Sequence, residues 1–204
     1  MSLIYIFSLL FFIAYFDQLV KYTARFLLYI FGFKIKEDIL SELPNKCVMI
    51  PPSHTSNIDG IIVLLVYFGY GDDKVNPLIM IKKELKSVFG SFGEKYFKFL
   101  YIDRQQGGVV KDTIEKLKGK SSYALLIAPE GTRKLTTGMR SGFWHIANEL
   151  DVEICMMCFC YKRKTLDKIF KIKPTNIEND FKKIENEAIK YMPFYKEHSY
   201  LHAK

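Results

Sequence analysis

The 204-residue sequence has no zinc-finger spacing, no basic zipper and no RNA-recognition signature, so a nucleic-acid partner is not expected. It is poor in cysteine, with only Cys47, Cys155, Cys158 and Cys160. Cys155 and Cys158 share a CxxC spacing, but neither a second CxxC nor paired histidines complete a zinc site. Buried free thiols in a reducing compartment are the expectation. There is no GxSxG nucleophile elbow, so Ser53 and Ser56 lack the setting of an acyl-enzyme hydrolase. The uncharged N-terminal run Leu3 to Phe16 has 14 residues, about 21 Å as a helix against a bilayer core of about 30 Å, too short to span upright. No basic residue precedes it and no small-residue cleavage site follows, which excludes a signal peptide. No internal repeat is visible.

What is present is apolar and basic. Hydrophobic residues make up 49% and aromatics 15%, enough for one globular core with a short appendage. The formal net charge of +8 favours anionic partners such as phospholipid head groups or phosphorylated small molecules. After the apolar run, Asp17, Lys21 and Arg25 form one polar stripe at four-residue spacing, and Leu19, Val20, Phe26, Leu27 and Leu28 fill the remaining surface. This predicts one helix, or two in sequence, ending near Gly32, the first half dipping into lipid and the second lying in the interface. A buried helix of a soluble core is the alternative. Residues 1–34 are thus expected to be a membrane-anchoring segment and residues 35–204 the globular domain.

Lys34 to Lys46 reads as a charged connection closed by Pro44 and Asn45. Strand-length apolar runs follow at Cys47 to Ile50, Pro77 to Ile81, Tyr96 to Ile102, Ala124 to Ala128 and Glu153 to Tyr161. Helical spacing occupies Ile58 to Phe68, Val109 to Leu117, Phe143 to Leu150 and Phe181 to Ile189. The alternation implies an α/β fold, a single-domain, mixed, largely parallel sheet flanked by helices. The tail from Lys162 to Lys204 carries 11 basic and 6 acidic residues, a net of +5, and reads as a solvated helical face or one resting on anionic lipid.

Three clusters carry the chemistry. In Pro51-Pro-Ser-His-Thr-Ser-Asn-Ile-Asp-Gly60, His54 sits in a loop and Asp59 in the first turn of an apolar helix. The carboxylate can fold back under the imidazole, fix its tautomer and leave the other nitrogen to take a proton from a hydroxyl. HxxxxD alone also fits a structural histidine near a helix start. In Ala128-Pro-Glu-Gly-Thr-Arg133, just past a strand, Gly131 allows close backbone approach, Arg133 offers a planar fork for phosphate, and Glu130 is expected to hold that fork or another basic group. A surface turn with a salt bridge is the alternative. Tyr101-Ile-Asp-Arg104 ends another strand with a second guanidinium, so the two arginines suggest one anion site.

These residues resemble the glycerolipid acyltransferases related to 1-acylglycerol-3-phosphate acyltransferase, with a match running from about Val48 to Phe159. That family's HxxxxD motif corresponds to His54 and Asp59, its second, arginine-ending motif to Arg104, and its EGTR motif to Glu130, Gly131, Thr132 and Arg133. Ile81-Lys-Lys-Glu-Leu85 and Gly142-Phe-Trp-His-Ile-Ala147 are similar as well. Two positions depart: Ser53 replaces the usual asparagine, and Val152-Glu-Ile-Cys-Met-Met replaces the usual proline-containing fourth motif. The resemblance implies acyl transfer from acyl-CoA or acyl carrier protein to a hydroxyl of a lysophospholipid-like acceptor, without metal or further cofactor. His54 would be the general base, Asp59 its orienter, and Arg104, Arg133 and Lys82 or Lys83 the phosphate ligands, with backbone amides near the helix start holding the oxyanion. It implies membrane lipids as partners and a membrane-associated, cytosol-facing domain. An inactive scaffold keeping the fold is the competing reading. His145 is expected to pack on its helix, and His198 and His202 to lie in an exposed tail.

Overall fold

The computed structural model describes residues 3–71, 76–103 and 107–203, with side chains from residue 17 onward. Helix α1 (Leu3–Ile30) is followed by β1 (Lys34–Ile35), a 3-10 turn (Ile39–Glu42), β2 (Lys46–Ile50), α2 (Ile58–Tyr70) and β3 (Pro77–Lys82). A 3-10 turn (Lys83–Leu85) then leads into α3 (Lys86–Tyr96), β4 (Phe99–Ile102), α4 (Val109–Leu117), β5 (Tyr123–Leu126) and α5 (Gly142–Glu149). The chain closes with β6 (Glu153–Cys160), β7 (Thr165–Ile172), α6 (Ile177–Ala188) and a last 3-10 turn (Lys196–His198). Among the described residues the strands form one sheet in the order β1-β7-β6-β2-β5-β3-β4. All neighbours run parallel except β6 and β7, which pair antiparallel.

Helices cover both faces, which is why β2, β5 and β6 read as continuous apolar runs rather than alternating ones. On one face Val48, Ile50, Leu125, Ile154 and Met156 pack with Ile114, Phe143, Ile146 and Ile184 of α4, α5 and α6. On the other, the alternate residues Cys47, Met49, Cys155 and Met157 pack with Leu28, Ile62 and Val66 of α1 and α2. All four cysteines are buried. The apolar stretch 3–16 is helical, its side chains outside the described residues; among the described residues no helix is long and apolar enough to cross a membrane.

Several expectations are corrected here. The connection from Lys34 contains β1, which pairs with β7 and extends the sheet. The run from Tyr96 begins as the last turn of α3, and the strand starts only at Phe99, after Lys98 adopts φ 56°. Helix α6 starts at Ile177, four residues ahead of the predicted Phe181, because Asn176 accepts a capping hydrogen bond from the Asn179 amide. The tail does contain a helix with a solvated face, α6, where Glu178, Lys182 and Lys183 are exposed, but its last residues do not form an exposed end. His202 is buried, with Nδ1 3.1 Å from Ser199 Oγ and Nε2 3.0 Å from the Ile189 carbonyl, and the turn near His198 is 3-10, so its neighbours do not share an α-helical face.

Candidate active site

The carboxyl end of β2 runs into Pro51 and Pro52, which cannot continue a strand, and the loop to Asn57 sets His54 above the sheet. Asp59, in the first turn of α2, folds back as predicted: His54 Nδ1 lies 3.0 Å from Asp59 Oδ2. The same oxygen accepts from the Thr55 amide at 2.9 Å and the Ser56 amide at 3.0 Å. The other, Oδ1, accepts from the Tyr161 hydroxyl at 2.6 Å. Asp59 is nearly buried, with four hydrogen-bond partners and a helix N-terminus beside it, so its position is held. With the Nδ1 proton directed at Asp59, Nε2 of the partly exposed imidazole is left to accept from a substrate.

Tyr161 follows β6 directly and was read from the sequence only as a strand end. Because β6 neighbours β2 and runs parallel to it, with Ile50 opposite Met156, the four further residues of β6 carry Tyr161 past the end of β2 to the loop. Burial and the Asp59 carboxylate push the Tyr161 hydroxyl far above its ordinary value, so it remains a neutral donor. No local pattern marks this residue, whose role depends on which strand lies next to β2.

Among the described residues, Glu130 holds no arginine. It is 2% exposed and turned toward the histidine loop, accepting from Ser53 Oγ at 2.9 Å and from the His54 amide at 3.0 Å. Burial pushes its carboxyl above the usual range, while the two hydrogen bonds act in the opposite direction. The turn after β5 thus clamps the loop after β2, its neighbour in the sheet. Ser53 is spent on Glu130, and Ser56 Oγ accepts from the Ile58 amide at 3.2 Å, so neither serine is presented to the imidazole as a nucleophile. The amides of His54, Thr55, Ser56 and Ile58 are all engaged, which removes them from the expected role of oxyanion donors.

Arg104 is outside the described residues. Arg133 is exposed, and Thr132 Oγ1 accepts from the Lys134 amide at 3.3 Å. Lys82 is exposed at the end of β3, and Lys83 pairs with Asp103 at 3.3 Å. Gly131, with φ +69°, lies against a guanidinium that sequence reasoning missed. An added Cβ would meet Arg140 Nε at 3.3 Å. Arg140 and the exposed His145, which was expected to pack, border a cavity of about 360 Å³. That cavity lies between the turn after β5 and the first turns of α4 and α5. The C-terminal segment supports the loop from the opposite side: the Tyr195 amide donates to Thr55 Oγ1 at 3.1 Å, and Phe194 packs edge-on to Tyr161 at 5.3 Å between centroids.

The fold is similar to that of the 1-acyl-sn-glycerophosphate (LPA) acyltransferase PlsC from Thermotoga maritima, with a TM-score of 0.53 over 85% of this chain and 76% of that one, at 16% identity. Comparison with curated proteins gives no match. The profile described as Acyltransferase matches residues 34–160, a span that contains His54, Asp59 and the Glu130 turn. The chain therefore belongs to the acyltransferase family.

Proposed function

We propose that this acyltransferase moves a fatty acyl group from acyl-CoA or acyl carrier protein to a hydroxyl of a lysophospholipid-like acceptor such as 1-acylglycerol-3-phosphate. The observation that carries the reading is the His54–Asp59 pair, bonded at 3.0 Å and held by two backbone amides and Tyr161. Nε2 takes the acceptor hydroxyl proton as that oxygen attacks the thioester carbonyl. Asp59 stabilises the imidazolium without taking its proton. The tetrahedral intermediate expels a thiolate, a competent leaving group at a thiol pKa of roughly 8.5, which recovers the proton from His54.

The positive side of the Glu130 turn receives the anionic group. Arg140 at the cavity and the exposed Arg133 of the same turn suit a phosphate of the acceptor or of coenzyme A, with Lys82 and Arg104 added on the family resemblance alone. Exposed apolar residues along α1, among them Tyr22, Phe26, Tyr29 and Ile30, favour a membrane-associated enzyme whose catalytic domain faces the cytosol and draws its acceptor from lipid.

The test is incubation with labelled acyl-CoA or acyl carrier protein and a panel of lysolipids, comparing the wild type with His54→Ala. Transfer to at least one acceptor is expected, falling about 10²- to 10⁴-fold in the variant. Absence of transfer with every donor and acceptor would instead favour an inactive scaffold.

A further inference from the structure

Segment α3 is two short helical pieces joined by a kink at Gly90 (φ 50°, ψ −146°), and its large apolar side chains divide into a covered set and an exposed one. The covered set rests on β4: Phe89 and Phe97 pack against Phe99 at 5.3 and 5.4 Å between centroids. Gly93 lets the helix approach so closely that an added Cβ would lie 2.5 Å from the Tyr101 hydroxyl. The exposed set is Val88 (71% exposed), Phe92 (57%) and Tyr96 (50%), with Leu85 just ahead of the segment also exposed. Phe92 and Tyr96 lie together at 4.5 Å between centroids. Holding four large apolar side chains in water on one short segment is unfavourable unless something covers them.

Five lysines flank these residues, at positions 82, 83, 86, 95 and 98, against only Glu84 and Glu94 over the same span. Two of these lysines are in ion pairs, Lys86 with Glu94 at 3.0 Å and Lys83 with Asp103 at 3.3 Å. A protein interface of this kind would be depleted in lysine at its centre. Aromatic and aliphatic side chains ringed by long ammonium stems instead match the boundary of an anionic bilayer, where the rings enter the acyl region and the amines reach the phosphates.

The position of α3 supports the same occupant. It follows β3, at the carboxyl edge of the sheet, where the His54 loop and the Glu130 turn also lie. At its other end Phe97 contacts Phe68, next to Gly69, whose carbonyl accepts from Arg25 of α1 at 2.7 Å. Helix α3 and the exposed half of α1 therefore flank the same turn of α2.

We infer that the exposed apolar residues of this segment, Leu85 and Val88 before the kink and Phe92 and Tyr96 after it, form with the flanking lysines an interfacial docking surface for an anionic lipid bilayer, separate from the N-terminal helix. This inference stands whether or not the acyl-transfer reading does, and its test uses no activity. The four native cysteines are buried, so a thiol introduced on the surface of the full-length folded chain reacts selectively with an environment-sensitive fluorophore. Single variants Val88→Cys and Phe92→Cys, with Glu178→Cys on α6 as a distant exposed control, are labelled and mixed with phosphatidylcholine vesicles containing about one third phosphatidylglycerol and brominated acyl chains.

Labels at 88 and 92 are expected to blue-shift and be quenched, and the label at 178 to remain unchanged. Lys86→Glu with Lys95→Glu should weaken that quenching at least about tenfold in lipid concentration, and pure phosphatidylcholine should do the same. Labels at 88 and 92 that stay solvent-like with vesicles, even while a label at Tyr22→Cys on α1 is quenched, would overturn the inference. So would labels already buried in a vesicle-free dimer, which would assign this surface to a second copy.

Discussion

Tyr161 is more than a packing residue because it occupies the one Asp59 oxygen that the histidine loop leaves open. Removing its hydroxyl leaves a nearly buried carboxylate oxygen without a partner and loosens the orienter rather than the base. Tyr161→Phe should lower kcat about tenfold, equal to ~1.4 kcal/mol, with KM for the acceptor unchanged. A rise in KM alone would place the hydroxyl in substrate binding. Glu130 makes a sharper prediction. A glutamine there can still accept from the His54 amide while its NH₂ donates to Ser53 Oγ, so Glu130→Gln should keep most activity. Glu130→Ala, which abandons both partners, should lose at least about tenfold. Equal losses in steady-state assays of the two variants would mean that the carboxylate charge itself is needed. The His54–Asp59 pair was legible because five residues across a loop and a helix start fix its geometry locally. Tyr161 and Arg140 were not, because each acquires its role from a contact that linear spacing does not encode.

Helix α6 illustrates a contact of the same kind at the level of elements. Buried Asp180 accepts from Trp144 Nε1 at 3.0 Å, from the Thr175 amide at 2.8 Å, from the Asn176 amide at 3.1 Å and from Thr175 Oγ1 at 3.2 Å. It joins the start of α6 to α5. Asp180→Ala strands the buried Trp144 indole N–H and the part-buried donors of Thr175 and Asn176, and should reduce unfolding free energy by roughly 2–3 kcal/mol, read as a lower denaturant midpoint, with a more mobile Trp144 in fluorescence anisotropy. Elements whose apolar residues recur on one stripe, such as α4, or in one short run, such as β2 and β6, were readable. Strand β7 was not. Its sequence TLDKIFKI interleaves charges, because only some of its side chains reach the core. Segment α3 escaped notice because the kink at Gly90 breaks the helical period of its apolar residues.

For the molecule as a whole, the parallel order of the central strands follows from alternation of elements, but the reversal at β7 depends on a tight connection after Cys160 that puts Lys164 at φ 53°. The buried Glu187 ties α6 back to this antiparallel edge. Burial disfavours its charge, yet Lys168 at 2.7 Å, Lys190 at 2.6 Å and the Tyr191 hydroxyl at 3.1 Å outweigh it and hold the carboxyl at about 2. Since this lies below the ordinary value of 4.5, the contribution to stability is complete above pH 4.5 and is lost as pH falls toward 2. Chemical denaturation between pH 6 and 3 should show a fall in stability over the acid part of that range, and Glu187→Gln should flatten it. An unchanged acid slope in the variant would assign the loss to other carboxyls.

The hydrogen bond from the Tyr195 amide to Thr55 joins positions 140 residues apart. During synthesis on the ribosome, the loop that presents the imidazole emerges long before the segment that braces it. A nascent chain therefore lacks its finished proton acceptor until the segment around Tyr195 has also emerged and folded back onto the loop.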